Sequence, residues 1–168
     1  MGGLYMKRLI SFICSILLVI GCMVPCVSGA EYEDAEELVL VRETVAYLED
    51  GSRIITSVYE EATTTRSNLY NKTGSRIDRY VDAGGAVLWS LTVHGEFRIL
   101  EGASVTCISA TCSSEVYNSD WTCTRKTATP SGSWAIANGE FAKTLLGIVV
   151  SRESVEVSLT CDVYGNLS

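Results

Sequence analysis

The one residue that could act as a general base near neutral pH is His94, the single histidine of the chain. Alternate residues of a strand face opposite sides of the sheet. Trp89 and Leu91 lie at odd positions of the same alternating stretch and His94 at an even position, so we expect His94 on a solvated sheet face. No H-E-x-x-H, G-x-S-x-G, P-loop or EF-hand pattern is present. The twenty Asp and Glu residues could supply a glycosidase pair, but their spacing singles out none. The sequence therefore predicts no catalytic residue, metal ligand or cofactor, with a secreted hydrolase as the alternative.

Four cysteines follow residue 30, and an even number favours two disulfide bonds in an exported chain. Gaps of four, ten and thirty-seven residues separate them, unlike the paired C-x-x-C spacing of zinc sites. Cys107 shares its parity with Val105, and Cys161 lies on the apolar face of the last expected strand, so both should point inward. We therefore predict a core bridge Cys107–Cys161 and a local bridge Cys112–Cys123. Oxidised cysteines would not act as nucleophiles.

Aromatic residues near turns are the candidate binding residues. Trp121 and Trp134 flank turn-rich segments, and Tyr117 and Tyr164 lie near loops. Exposed aromatic rings can stack on sugar rings or anchor a protein partner. Trp134 shares its parity with Ile136, so a place in the core is the alternative for that residue.

The elements that would position these residues are strands. Asp50-Gly51 between two apolar stretches predicts a hairpin, with strands at about 42–48 and 53–59. Residues 87–94 alternate apolar and polar with the period of a half-buried strand. Gly139 and Gly147 are expected to be bulges within strands. The further predicted strands are 76–81, 86–94, 104–112, 117–127, 133–136, 140–150 and 155–163.

These short strands, separated by turns, predict an all-β fold, an antiparallel sandwich or barrel. The expected organisation is a hairpin at 42–59, a polar linker at 60–75 and a β-sandwich domain at 76–168. A tryptophan near a buried bridge makes the domain broadly Ig-like. The order Trp89, Cys107, Cys161 nevertheless differs from the Cys, Trp, Cys order of immunoglobulin domains.

The first thirty residues have the order of a secretory signal peptide. Lys7 and Arg8 form a basic region, residues 9–27 carry no charge, and Ser28-Gly29-Ala30 offers small residues for cleavage before Glu31. The sequence thus predicts a secreted protein. Val19-Ile20-Gly21-Cys22 resembles a bacterial lipobox, so the alternative is a lipid anchor on Cys22 at the cell surface.

Charge is distributed unevenly along the chain. The net charge is −7 overall, and residues 31–61 hold ten acids and two bases, whereas residues 62–168 hold ten acids and nine bases. Residues 31–41 are therefore an acidic leader before a nearly neutral domain. This balance disfavours binding to nucleic acid. A membrane contact is expected only if Cys22 is lipidated.

A family resemblance is carried by Thr73-Gly74-Ser75, residues 86–97, Ser104-Val105-Thr106-Cys107, residues 145–150, Leu159-Thr160-Cys161 and Gly165-Asn166-Leu167-Ser168. On these segments the chain resembles a family of small, secreted, uncharacterised proteins of Gram-positive gut bacteria. The resemblance implies secretion and a β-rich domain, without an activity or site residues. The candidate aromatic residues favour a secreted or surface-associated, non-enzymatic interaction module for an extracellular protein or glycan. A secreted antimicrobial or toxin-like effector is a further alternative.

Overall fold

A computed structural model describes residues 38–62 and 67–168, and all regular structure within these ranges is β-strand. The predicted signal peptide at 1–30 and most of the acidic leader lie outside the described residues. In the described ranges, the structure contains no helix that could span a membrane. The eight strands are β1 Leu38–Tyr47, β2 Arg53–Glu61, β3 Leu69–Val81, β4 Val87–Leu100, β5 Ser104–Val116, β6 Trp121–Ser131, β7 Trp134–Leu145 and β8 Ile148–Thr160.

The strands form two antiparallel sheets. The first, sheet A, has the order β1-β2-β3-β4-β5, and the second, sheet B, has the order β6-β7-β8. The prediction of an all-β antiparallel fold is therefore confirmed. Each strand pairs with its sequence neighbour within its sheet, as in a meander. This order differs from the Greek key of immunoglobulin domains, so the Ig likeness extends only to two sheets of antiparallel strands.

The Asp-Gly turn that the sequence predicts is present between β1 and β2. Gly51 adopts a φ of 83°, and the amide of Leu48 donates to the carbonyl of Ser52 at 2.8 Å. The carboxylate of Asp50 accepts the Ser52 amide at 2.9 Å, which closes the turn with a side chain. This turn chemistry fixes the register of the first hairpin.

The hairpin belongs to sheet A and is not a peripheral element. β2 pairs with β3 from Arg53 opposite Val81 to Glu60 opposite Gly74. The polar linker predicted at 60–75 is therefore wrong over residues 69–75, which form the start of β3. The error has a physical reason, since the polar Asn71, Lys72 and Thr73 side chains occupy exposed or partly exposed positions of a strand and not a loop.

The core lies between the two sheets, where β4 packs against β7 and β8. Trp89, Leu91 and Val93 are buried on one face of β4, as predicted, but Ser90 and Thr92 on the other face are buried as well, so the strand is not half-buried over this stretch. The strand continues to Leu100, which adds Phe97 and Ile99 to that face. Sheet B contributes small residues at the centre of its inner face and larger ones around them: Ala135, Ala137, Phe141, Val157 and Leu159.

An aromatic cluster fills one end of this core. The Trp89 ring stacks between Tyr80, with centroids 5.1 Å apart, and Phe141, with centroids 4.1 Å apart. Trp121 tilts against Tyr80 and Trp89 at 6.3 Å. The prediction of Trp121 as a binding residue is therefore wrong, because only 7% of its surface is exposed. Trp121 follows a turn, but as the first residue of β6 it points inward and stabilises the packing of the sheets.

The segment after β8 folds back and joins the two sheets. Thr160 and Ser168 exchange backbone hydrogen bonds of 2.9 and 3.0 Å, and Cys161 forms a β-bridge with Leu167. The buried Leu167 side chain lies over Gly74 of β3, where any Cβ would clash with it. Arg76 of β3 adds a polar link between the sheets, because its Nη1 donates to the Ser158 carbonyl at 3.0 Å.

Candidate functional site

His94 lies on the outward face of β4, where it is half-buried. Its Nδ1 is 2.7 Å from the hydroxyl of Ser75, which is directly opposite on β3. Burial lowers the pKa of His94, so the imidazole is neutral near pH 7. Only 5% of Ser75 is exposed, so its hydroxyl cannot reach a substrate from solution. The pair therefore holds two strands together and lacks the accessible nucleophile of a hydrolase.

The described ranges contain no candidate metal site. Among residues 38–62 and 67–168, no group of three or more His, Cys, Asp or Glu side chains could hold an ion.

The four cysteines are free thiols in this structure, and the predicted core pair occupies related positions. The Cys107 amide donates to the Gly132 carbonyl at 2.7 Å, and the Cys161 amide donates to the Ser133 carbonyl at 3.2 Å. Both side chains are buried, as the parity argument predicts. Burial raises the pKa of Cys107 and raises the pKa of Cys161 to about 11, so neither thiol is a ready nucleophile.

The second predicted pair is less buried. Cys112 of β5 pairs with Val93 of β4, and Cys123 of β6 pairs with Phe141 of β7. Both side chains are half-buried and pack against the core. Both pairings stay predictions.

The candidate aromatic residues do not form one site. Tyr117 is exposed in the turn between β5 and β6, where its hydroxyl donates to the Glu115 carboxylate. Trp134 begins β7 at the opposite end of sheet B and is 45% exposed, so the expectation that it could be core is wrong. Tyr164 is exposed in the segment after β8. The last residue of β8, Thr160, pairs with Trp134. Each therefore presents a separate aromatic surface.

The most exposed apolar cluster is the tip of the β7–β8 hairpin, residues 145–150, here called the apolar tip. Leu146 is 96% exposed, and four further large aliphatic side chains of the tip are exposed beside it. Single exposed aliphatic residues are ordinary, but contiguous ones mark interaction sites. The other four are Leu145, Ile148, Val149 and Val150.

The turn at the apolar tip is strained by its sequence. Leu145 pairs with Ile148, so the loop has two residues, Leu146 at a φ of 51° and Gly147 at a φ of 80°. Positive φ at both positions is the type I′ pattern, in which Asn, Asp and Gly are favoured. A left-handed leucine costs about 1–2 kcal/mol. The chain therefore keeps an unfavourable leucine at the place where it is most exposed.

The apolar tip was not predicted from the sequence, because residues 140–150 have the composition of one continuous strand, in which Gly147 was expected to be a bulge. That prediction is wrong, since Gly147 is the second residue of the turn, and residues 151–154, which separate the predicted strands 140–150 and 155–163, lie within β8. Gly139 is also not a bulge, because it pairs in register with Lys126 and Val155. The available signal was a glycine between two runs of β-forming residues. It was weak because Leu-Gly is not a typical hairpin dipeptide.

The base of the apolar tip is fixed to the rest of the fold. The Thr144 amide donates to the Asp120 carbonyl at 2.7 Å, and its hydroxyl donates to the same oxygen at 3.2 Å. The tip therefore projects from an anchored strand end, so a partner would meet a preorganised surface.

The edge strand β1 is the second exposed apolar feature. All ten of its residues are exposed, including Leu38, Val39 and Leu40. The register shifts between Leu40 and Arg42, which places a bulge in the strand next to the charged pair Arg42 and Glu43. Bulges and charges are devices that protect a sheet edge from pairing. The apolar tip also has a register shift, between Lys143 and Thr144 opposite Val150, but it carries no charged residue, so it is the stronger candidate surface.

Comparison of the chain with protein-family models, with curated proteins and with solved structures gave no match.

Proposed function

We propose that this protein is an exported, non-enzymatic interaction module that binds a partner protein through the apolar tip. The observation that carries the proposal is the 96% exposed Leu146 in a left-handed turn conformation. A residue that is unfavourable for both solvation and backbone geometry is explained if a complex covers it.

The charge of the molecule favours a protein partner over a bilayer. The chain has seven more acids than bases, which disfavours adsorption to anionic lipid headgroups. Interfacial anchors also carry Trp or Tyr at headgroup depth. The large apolar residues of the tip are aliphatic. Such side chains pack well into a complementary apolar pocket on a partner protein.

Export and disulfide formation belong to the same proposal. The signal-like residues 1–30 would deliver the chain to an oxidising compartment. The positions of Cys107 and Cys161 on either side of the Gly132-Ser133 turn support a bridge there. Such a bridge would link β5 to the end of β8 and hold the segment that covers Gly74. A second bridge, Cys112–Cys123, would close the turn between β5 and β6.

Affinity capture with matched variants tests the proposed function. Wild-type protein immobilised on beads should retain a partner from the surface proteins of the cells that the protein meets, and Leu146→Asn should lose at least about 90% of it. Leu69→Asn is the control, because Leu69 is also an exposed leucine, at 56%, and lies at the end of sheet A beside Leu100, away from the apolar tip. Equal retention by both variants would contradict the proposal. Loss of vesicle binding or of self-association in Leu146→Asn, without a protein partner, would also contradict it.

A further inference from the structure

The outward face of sheet B combines an aromatic end with a polar end. Residues of β7 alternate so that Ala135, Ala137 and Phe141 are buried, while Trp134 and Asn138 face away from the core. Cross-strand pairing extends this face as four rows across β6, β7 and β8. The rows are Ser131–Trp134–Thr160, Thr129–Ile136–Ser158, Thr127–Asn138–Glu156 and Arg125–Glu140–Ser154.

A groove of about 440 Å³ lies between the last two rows. Gly139 and Val155, in the row between them, also line it. Its volume is within the ~300–1,000 Å³ range of small-molecule sites. The groove runs across the strands, and the row containing Ile136 separates it from Trp134.

The polar groups of the groove are free to bind a ligand. In the part of the chain that the structure describes, no hydrogen bond or ion pair occupies the side chains of Arg125, Asn138 or Glu156. Glu140 adds a second unpaired carboxylate, while its backbone carbonyl accepts from the hydroxyl of Thr124. Together they offer guanidinium and amide donors and carboxylate acceptors in the two rows that border the groove.

This arrangement fits the chemistry of a sugar. A saccharide ring has an apolar face that stacks on an indole and a rim of hydroxyls that both donate and accept hydrogen bonds. The two carboxylates outnumber the single guanidinium, so the groove disfavours uronic acids and other anionic sugars. Stacking on Trp134 and hydroxyl contacts in the groove require a ligand of several linked rings.

We propose that the outward face of sheet B binds a neutral oligosaccharide, with one ring stacked on Trp134 and the following rings in the groove. Asn138 and Glu156 position ring hydroxyls from one side, and Arg125 and Glu140 do so from the other. This site is distinct from the apolar tip, which lies at the other end of β7. The inference therefore goes beyond the proposed function and does not depend on it.

Tryptophan fluorescence gives a direct readout. The chain has three tryptophans, and Trp134 is the exposed one, since Trp89 and Trp121 are buried. Screening on an array of neutral and acidic glycans should identify neutral ligands. Titration with cellotetraose, mannotetraose and chitotetraose, together with the array hits, should then shift the emission to the blue and protect it from acrylamide quenching. Tetragalacturonic acid should leave the emission unchanged.

Calorimetry on variants separates the site from an unspecific effect. Trp134→Ala and the double variant Asn138→Ala/Glu156→Ala should each weaken binding at least about tenfold, and Trp134→Phe should retain part of the affinity. Tyr164→Ala is the control for an exposed aromatic residue elsewhere, and Leu146→Asn is the control for the apolar tip. Both should bind as wild type does. The absence of any neutral ligand on the array would overturn the proposal. Affinity that survives both Trp134→Ala and the double variant would overturn it as well.

Discussion

At the scale of single residues, two side chains have unusual environments. Leu146 combines an exposed aliphatic side chain with a left-handed backbone. His94 is half-buried beside Ser75, with a pKa lowered by burial. The first was not predictable from the sequence, because a two-residue turn at Leu-Gly contradicts turn preferences. The environment of His94 was predictable only in part. The alternation of residues predicted which face of the strand His94 occupies, but it did not predict that His94 is half-buried there.

Leu146→Asn should stabilise the protein while it weakens partner binding. Asn tolerates the left-handed region, so the free energy of unfolding should rise by about 1 kcal/mol. Urea unfolding at pH 7 measures this change. Gly147→Ala is the opposite control, because a Cβ at a φ of 80° should lower stability by about 1 kcal/mol. A destabilised Leu146→Asn would show that the leucine serves the fold.

His94 should make stability depend on pH in the mildly acidic range. Its folded pKa lies below the unfolded value of 6.5, so the unfolded chain binds more protons as the pH falls. The free energy of unfolding should therefore decrease as the pH drops below about 6.5. Urea unfolding at pH 7.5 and 5.5 should show a smaller decrease in His94→Gln than in wild type. An identical decrease would assign the effect to other groups.

At the scale of elements, period-2 patterns were reliable guides and polar stretches were not. The strand around Trp89 was found because its two faces differ in polarity. The start of β3 was missed because its Asn, Lys and Thr side chains read as a linker. The segment after β8 has no periodic signal, since its role depends on Leu167 meeting Gly74 from a distant strand.

That contact predicts two destabilising substitutions on different elements. Gly74→Ala should lower the free energy of unfolding by more than about 2 kcal/mol, because the new Cβ would clash with Leu167 and lie 2.9 Å from the Tyr59 carbonyl oxygen. Leu167→Ala should cost about 2–4 kcal/mol through the cavity it leaves. The double variant should lose less than the sum of the two, because the alanine at position 74 then occupies part of the cavity. Thermal or urea unfolding measures these losses. If the losses of the two single variants simply add in the double variant, positions 74 and 167 do not interact, which would contradict the contact.

At the scale of the whole molecule, the two sheets face each other across an aromatic and aliphatic core, and the segment after β8 connects them. The class of fold was predictable because alternation and turn residues recur along the chain. The division into a five-stranded and a three-stranded sheet was not, because pairing partners depend on long-range packing. The candidate sites depend on this division, since no other part of residues 38–62 and 67–168 covers the apolar tip or the outward face of sheet B.

The disulfides act at the same scale. A Cys107–Cys161 bridge would contribute about 4 kcal/mol and a Cys112–Cys123 bridge about 3 kcal/mol in the chain-entropy model. Replacing Cys107 and Cys161 with Ala should therefore lower the thermal midpoint more than replacing Cys112 and Cys123. Non-reducing peptide mapping of the exported protein checks the pairing itself. A peptide that joins Cys107 to Cys112 or Cys123 would refute it.

The central claim is that the apolar tip binds a partner protein, and site-specific photo-crosslinking tests it most directly. A diazirine-bearing amino acid at position 146 of the purified protein should, after illumination with the cells that the protein meets, form an adduct with one defined protein. Excess unlabelled wild type should suppress this adduct, whereas excess Leu146→Asn should not. Adducts only with lipid or with a second copy of the chain would contradict the claim, as would equal suppression by wild type and Leu146→Asn.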